Sequence, residues 1–270
     1  MSSRQVRQSN LTEIINTEHK LLLEAPQNYG EFFNHALQSI NLLQTFIAGL
    51  KKGGAWLFIS FTAHIRKHHL LAFMSIVRRH HTQAFMNLRQ VLESGANAAY
   101  ALGNPKADDF VSVTPEGLLD VRDDLKDKRY KWLEMNYPEG SQAIKAMKAQ
   151  MQLSSHSNLV DVHRTFKVRG GKKHVQLDTP FFDLENKFII KGDLWALANI
   201  AIGLMDLFYG INQKIGLITF SIDFVPRLQA LDADNQRLRA MMMKTRKFKR
   251  ADKKAKLRDE RLKKGPAGQK

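Results

Sequence analysis

Apolar positions along this chain recur mostly at spacings of three and four, the period of a helix with one buried face. Asn10 precedes LTEIINTEHKLLLEA, with Glu13 three positions on in a capping-box pattern, and PQNYG closes the segment. That predicts a first helix. Phe33, Leu37, Ile40, Leu43 and Ile47 predict a second over 31–50, stopped by KKGG. Phe58, Phe61, Ile65, His69, Ala72 and Ile76 share one face of a third, over 55–80, and a fourth carries LRQVLESGANAAYALGN, residues 88–104. In DDFVSVTPEGLLD, Thr114 and Pro115 read as the cap and first residue of a polar helix reaching Asn136. Another short helix follows Pro138.

The one strand signal lies between Thr165 and Leu177, where TFKV and HVQL alternate around Arg169, Gly170, Gly171, Lys172 and Lys173. It predicts a hairpin with a basic tip. Asp193 reads as the cap of a long apolar helix, and IGLITFSIDFV continues the apolar character towards Pro226. The stretch from Leu194 to Ile211 nears the length of a bilayer span, but it contains Asn199 and Asp206, so a core helix and no membrane span is expected. Beyond Pro226, Leu228, Leu231, Leu238 and Met242 keep helical spacing with too little apolar surface for a core. A helix that leaves the body and frays is expected there. The resulting plan is an N-terminal helical segment (1–29), a bundle body (30–225) and a basic C-terminal helix and tail (226–270). Its fold class is all-α with one small β-hairpin.

With 270 residues, 43% of them apolar, the chain can bury a sizeable core. Its formal charge of +16 changes the picture because of where it sits. Between Arg237 and Lys270, fifteen Lys or Arg face only Asp252, Asp259 and Glu260, a balance of +12 that leaves +4 for everything before. Cations interspersed with a single aromatic, Phe248, suit phosphate contacts better than base stacking. Candidate nucleic-acid contacts are Arg246, Lys247, Lys249, Arg250, Lys253 and Lys254, with Arg169, Lys172 and Lys173 at the hairpin extending the field. Absence of cysteine excludes disulfides, thiolate nucleophiles and Cys-containing zinc sites. MSSRQVRQSN has no apolar stretch after its charges, so a cytoplasmic location is expected.

Candidate chemistry centres on Arg89 and Glu93, one turn apart in a helix that is apolar on nearly every other side. They are either an ion pair fixing helix register or part of a site completed by a third group. His156, in MQLSSHSNLVDVH, is the candidate for that group. Sealed from water, the pair would cost about 3–5 kcal/mol to break on one side.

Arg89 and Glu93 in RQVLESGANAAYAL, then LSSHS, a hairpin and a long apolar helix resemble an uncharacterised bacterial helical family related to the HEPN superfamily, over residues 31–216. The resemblance implies a helical bundle with Arg89, Glu93 and His156 at its polar centre. It further implies a metal-independent ribonuclease as one activity to consider, with catalysis usually at a homodimer interface. In that activity His156 would be general acid or base and Arg89 would stabilise phosphoryl charge. The chain departs from the superfamily's motif of Arg followed closely by His. Its match in that form, Arg169 to His174 in RGGKKH, falls on a turn.

His64 and His68 share a helical face, but Ile65, Arg66 and Lys67 between them lack the glutamate of a zincin motif, and Glu-x-x-His is absent. No metal and no cofactor is expected, and these histidines read as partly buried or interface residues. The chain has neither a G-x-S-x-G elbow nor a P-loop spacing. Three functions remain open: nucleic-acid association through the tail, a HEPN-type ribonuclease of a defence or toxin system, and a non-enzymatic dimeric scaffold with an acidic protein partner.

Overall fold

The computed structural model describes residues 10–51, 55–155, 167–171, 174–178, 181–246 and 248–249. Helix α1 (Leu11–Tyr29) starts where Asn10 Oδ1 accepts the Thr12 amide at 3.1 Å. It runs through Pro26 and ends where Gly30, at φ +54°, donates to the Pro26 carbonyl. Helix α2 (Glu31–Thr45) follows at once. It is shorter than its apolar spacing predicts, because residues after Phe46 turn out to form strand β1 (Ile47–Leu50). Helices α3 (Trp56–Val77) and α4 (His81–Gly103) form an antiparallel pair.

The predicted polar helix from Thr114 is replaced by a second hairpin, β2 (Val111–Val113) with β3 (Leu119–Val121). Thr114 and Pro115 open a turn instead of a helix: Gly117, at φ +81°, donates to the Thr114 carbonyl at 2.9 Å, and Thr114 donates to Leu118. The helix itself, α5 (Leu125–Asn136), starts ten residues later than expected, and α6 (Pro138–Ser155) follows it. The hairpin read from alternation is present as β4 (Lys167–Gly171) and β5 (His174–Asp178). Helix α7 (Lys187–Ile215) is capped by Asn186, which accepts from Phe188 N, so Asp193 lies inside the helix and is not its cap. Strand β6 (Ile218–Phe220) pairs antiparallel with β1, and helix α8 (Phe224–Met243) follows it. The described residues thus form three two-stranded sheets on a mainly helical bundle, where one hairpin is expected.

Helix α4 lies at the centre, packed on α3, α5, α6 and α7. Leu88, Val91, Leu92, Ala96, Ala98, Ala99 and Leu102 are wholly buried, so α4 is apolar on almost all sides for the reason its sequence suggests. Gly95 lets α7 approach: a Cβ there would stand 2.5 Å from Leu204 Cδ2. Among the described residues, α7 alone is long and apolar enough to cross a membrane, and 56% of its most apolar window is buried within the bundle.

Helix α8 does not leave the body as its composition suggests. It docks on α2 and α7 with Leu228, Leu231, Asn235 and Leu238 buried. Polar groups complete the seam. Asn235 Nδ2 donates to Asn199 Oδ1 at 2.8 Å, which leaves Asn235 Oδ1 to accept from His35 Nε2 at 3.1 Å. Trp195 Nε1 donates to the Asn235 carbonyl. At the other end of α7, Asn212 closes the exit turn: its Oδ1 accepts from Leu217 N and Ile218 N at 2.8 and 3.0 Å, and its Nδ2 donates to Ile218 O at 2.9 Å.

His69 has a different role from that of a surface histidine. Fully buried, it donates from Nε2 to Leu197 O at 3.0 Å, and burial pushes its pKa down to about 4 despite that bond. The unfolded chain therefore takes the proton near pH 6.5, well before the folded chain does. The stabilising effect of the neutral ring should be complete above pH 6.5 and lost as pH falls towards 4, a loss of roughly 3 kcal/mol. Denaturant titrations at pH 7 and 4 would show it, and His69→Gln should flatten the slope; an equal slope in that variant would assign the acid loss elsewhere.

Candidate functional site

The sequence places Arg89 and Glu93 one turn apart, and the fold sets them where α4 meets α6 and α5. Arg89 Nε donates to Glu93 Oε1 at 3.3 Å, and Lys148 of α6 approaches the same oxygen at 3.0 Å. Lys148 also donates to the Tyr130 hydroxyl of α5 at 3.3 Å. Burial opposes ionisation of Glu93, but the bonds and charges of Lys148 and then Arg89 outweigh it and hold the carboxyl below its usual range.

This place is open to water. The Arg89 and Glu93 side chains remain 33% and 30% exposed, and Lys148 18%. The pair is therefore not the sealed one considered from sequence, and solvent screening reduces its expected worth to about 1 kcal/mol or less. Beside it three cations gather on one aromatic ring. Arg129, Lys145 and Lys148 all lie within 5.0–5.6 Å of the Tyr130 ring centre. Arg129 is held from beneath by Asn97 of α4, and Lys145 is paired with Glu134. The arrangement can hold an anionic group beside Arg89, Lys148 and the Tyr130 hydroxyl. His156, the proposed third member, lies outside the described residues, as do Lys172, Lys173, Lys247, Arg250, Lys253 and Lys254.

Lys148 and Tyr130 are the members that sequence reasoning missed. Lys148 sits in an ordinary amphipathic helix, and nothing local to KAMKAQ sets the register of α6 against α4. A weak signal was available in Lys145 and Lys148, which share a face at the i, i+3 spacing.

The histidines of α3 form a separate chain of hydrogen bonds. His68 Nδ1 lies 2.8 Å from Asn87 Oδ1, whose amide nitrogen is committed to Gln83 O, so His68 must donate there. Its Nε2 is then an acceptor for His64 Nε2 at 3.1 Å, and Ser94 Oγ stands 2.7 Å from His64 Nδ1. Burial, then His68 and Lys67, lower the His64 pKa. Among the described residues no group of three or more His, Asp or Glu is arranged to hold a metal ion.

The basic elements lie elsewhere. Arg169 is on β4 opposite Gln176, and Gly171 pairs with His174, so the Arg–His spacing of RGGKKH spans a hairpin and not a helix. Arg246 and Lys249 are exposed just past α8. Comparison with known proteins adds no relative: no family model, no curated protein and no solved structure matches the chain.

Proposed function

We propose that this HEPN-like helical protein associates with nucleic acid, RNA or DNA, through its basic C-terminal segment in the cytoplasm. The observation that carries the reading is the segregation of charge, +12 of the total +16 lying between Arg237 and Lys270. The fold supports it by rooting that segment: α8 is locked into the bundle by Asn235 and Leu238, while Arg239, Lys244, Arg246 and Lys249 face water. Arg237 is excepted, since it pairs with Glu31 and Asp234. Binding of this type displaces counterions. If six or more phosphates are neutralised, affinity of the full chain for a short RNA or DNA duplex should fall by about 10³-fold or more between about 50 and 200 mM salt. A flat salt titration would sink the reading, and equal affinity for polyglutamate would favour the acidic protein partner instead.

The solvent-open cluster at Arg89, Glu93 and Lys148 favours a second reading, a metal-independent HEPN-type ribonuclease. A polymer can reach such a place. In this reading Arg89 and Lys148 stabilise charge on a phosphoryl transition state and His156 transfers the proton. Arg89→Ala and His156→Ala should then each abolish RNA cleavage while circular dichroism stays unchanged. Cleavage that persists in both variants would exclude these roles.

A further inference from the structure

A cavity of about 480 Å³ lies at the corner between α3 and α4, against the start of α7. Arg79 turns that corner at φ +63°, the one non-glycine residue with positive φ among those described. Such a backbone is disfavoured for an L-residue, so its neighbours must hold it. Asp183 does so from both sides: its amide donates to the Arg79 carbonyl at 2.9 Å, and its Oδ2 accepts from His81 N at 2.6 Å. The segment around Asp183 is thereby stapled over the cavity.

Inside the corner, His81 Nδ1 lies 2.9 Å from Asp193 Oδ2. A carboxylate can only accept, so Nδ1 carries the proton and a neutral His81 keeps its lone pair on Nε2. His81 is only 8% exposed, and its Nε2 has no hydrogen-bond partner. Arg79 Nε is in the same condition, while its Nη1 reaches only to 3.8 Å from Glu185 Oε2. Buried polar atoms without partners are uncommon, and the two residues that carry these both line one cavity.

We propose that this cavity binds a small organic ammonium with an apolar body. Asp183, Glu185 and Asp193 line it against the single guanidinium of Arg79, three carboxylates to one fixed cation, so its field attracts a cation and repels an anion. A metal ion is a poor occupant, because no group of three His, Asp or Glu among the described residues is arranged to hold one. Ile76, Ile189 and Ile190 supply the apolar wall, and the volume falls in the range of small-molecule sites. An ammonium N–H gives His81 Nε2 the donor it lacks, and Glu185, 47% exposed at its loose contact with Arg79, is the counter-charge free to turn inward.

Hexylamine, protonated at neutral pH, is the probe, with hexanoate and hexanol as isosteres of other charge. Added to the full chain without nucleic acid, it should produce saturable shifts in the methyl resonances of Ile76, Ile189 and Ile190. Glu185→Gln, at the cavity rim, should weaken binding by about tenfold, and Asp193→Asn by at least as much. If Asp193→Asn fails to fold, Glu185→Gln decides. Hexanoate binding as tightly as hexylamine, an unchanged affinity in Glu185→Gln, or no saturation below about 10 mM would overturn the proposal. Nucleic-acid binding is not read in this experiment, so its result stands apart from that of the tail.

Discussion

A chain ended after Thr245 should bind a short RNA or DNA duplex at least about 100-fold more weakly than the full chain at about 0.1 M salt, with a shallower salt slope. This cut removes twelve Lys or Arg and three acids. It leaves α8 whole, together with the Thr245 hydroxyl that donates to Met242 O. A cut after Gln236 would look equivalent from sequence, but it would delete the wholly buried Leu238 and the Arg237–Glu31 pair. Binding loss would then be mixed with unfolding. Electrophoretic mobility shift or fluorescence anisotropy gives the affinity, and an unchanged melting temperature certifies the fold. Unchanged affinity in the shorter chain would remove the tail from the interface and transfer attention to the cations around Tyr130.

Asn212→Ala should lower stability by about 3–5 kcal/mol in chemical denaturation, because one small side chain serves three buried backbone groups. The Leu217 and Ile218 amides and the Ile218 carbonyl would all lose their partner at the point where α7 turns into β6. Alanine cannot replace any of these bonds, and Gly216 already holds the turn at φ +66°, so the backbone has little room to seek others. A loss under about 1 kcal/mol would mean that water replaces the amide there.

The long helices were legible because each one buries a face whose period survives in the sequence. Where a short element depends on a distant partner, the local pattern misled. Val111–Val113 is three residues long and becomes a strand only against Leu119–Val121, and Pro115 fits the first position of a helix and the second of a turn equally well. Helix α8 departs from its sequence expectation for a related reason. Its few leucines understate its attachment, since Asn235 docks through His35 and Asn199, polar residues that a hydrophobic count treats as solvent-facing. For the Arg89–Glu93 pair the spacing is visible in the sequence, but Lys148 is not, because tertiary register decides which turn of α6 meets α4. Asp193 looked like a cap beside an apolar run. It is the partner of His81, a pairing across more than a hundred residues that no periodicity encodes.

The pairing of Ile47 with Phe220 also sets a timetable for biogenesis. During synthesis at about 5–20 residues per second, β1 leaves the ribosome roughly ten to thirty seconds before its partner exists. Through that interval Phe46, in the finished protein wholly enclosed by Phe208, Phe220 and Phe224, has none of those rings to shelter it. The nascent chain thus displays an aromatic surface and a bare strand edge until its last fifth emerges, a window in which a chaperone, or another nascent copy, competes for the same face.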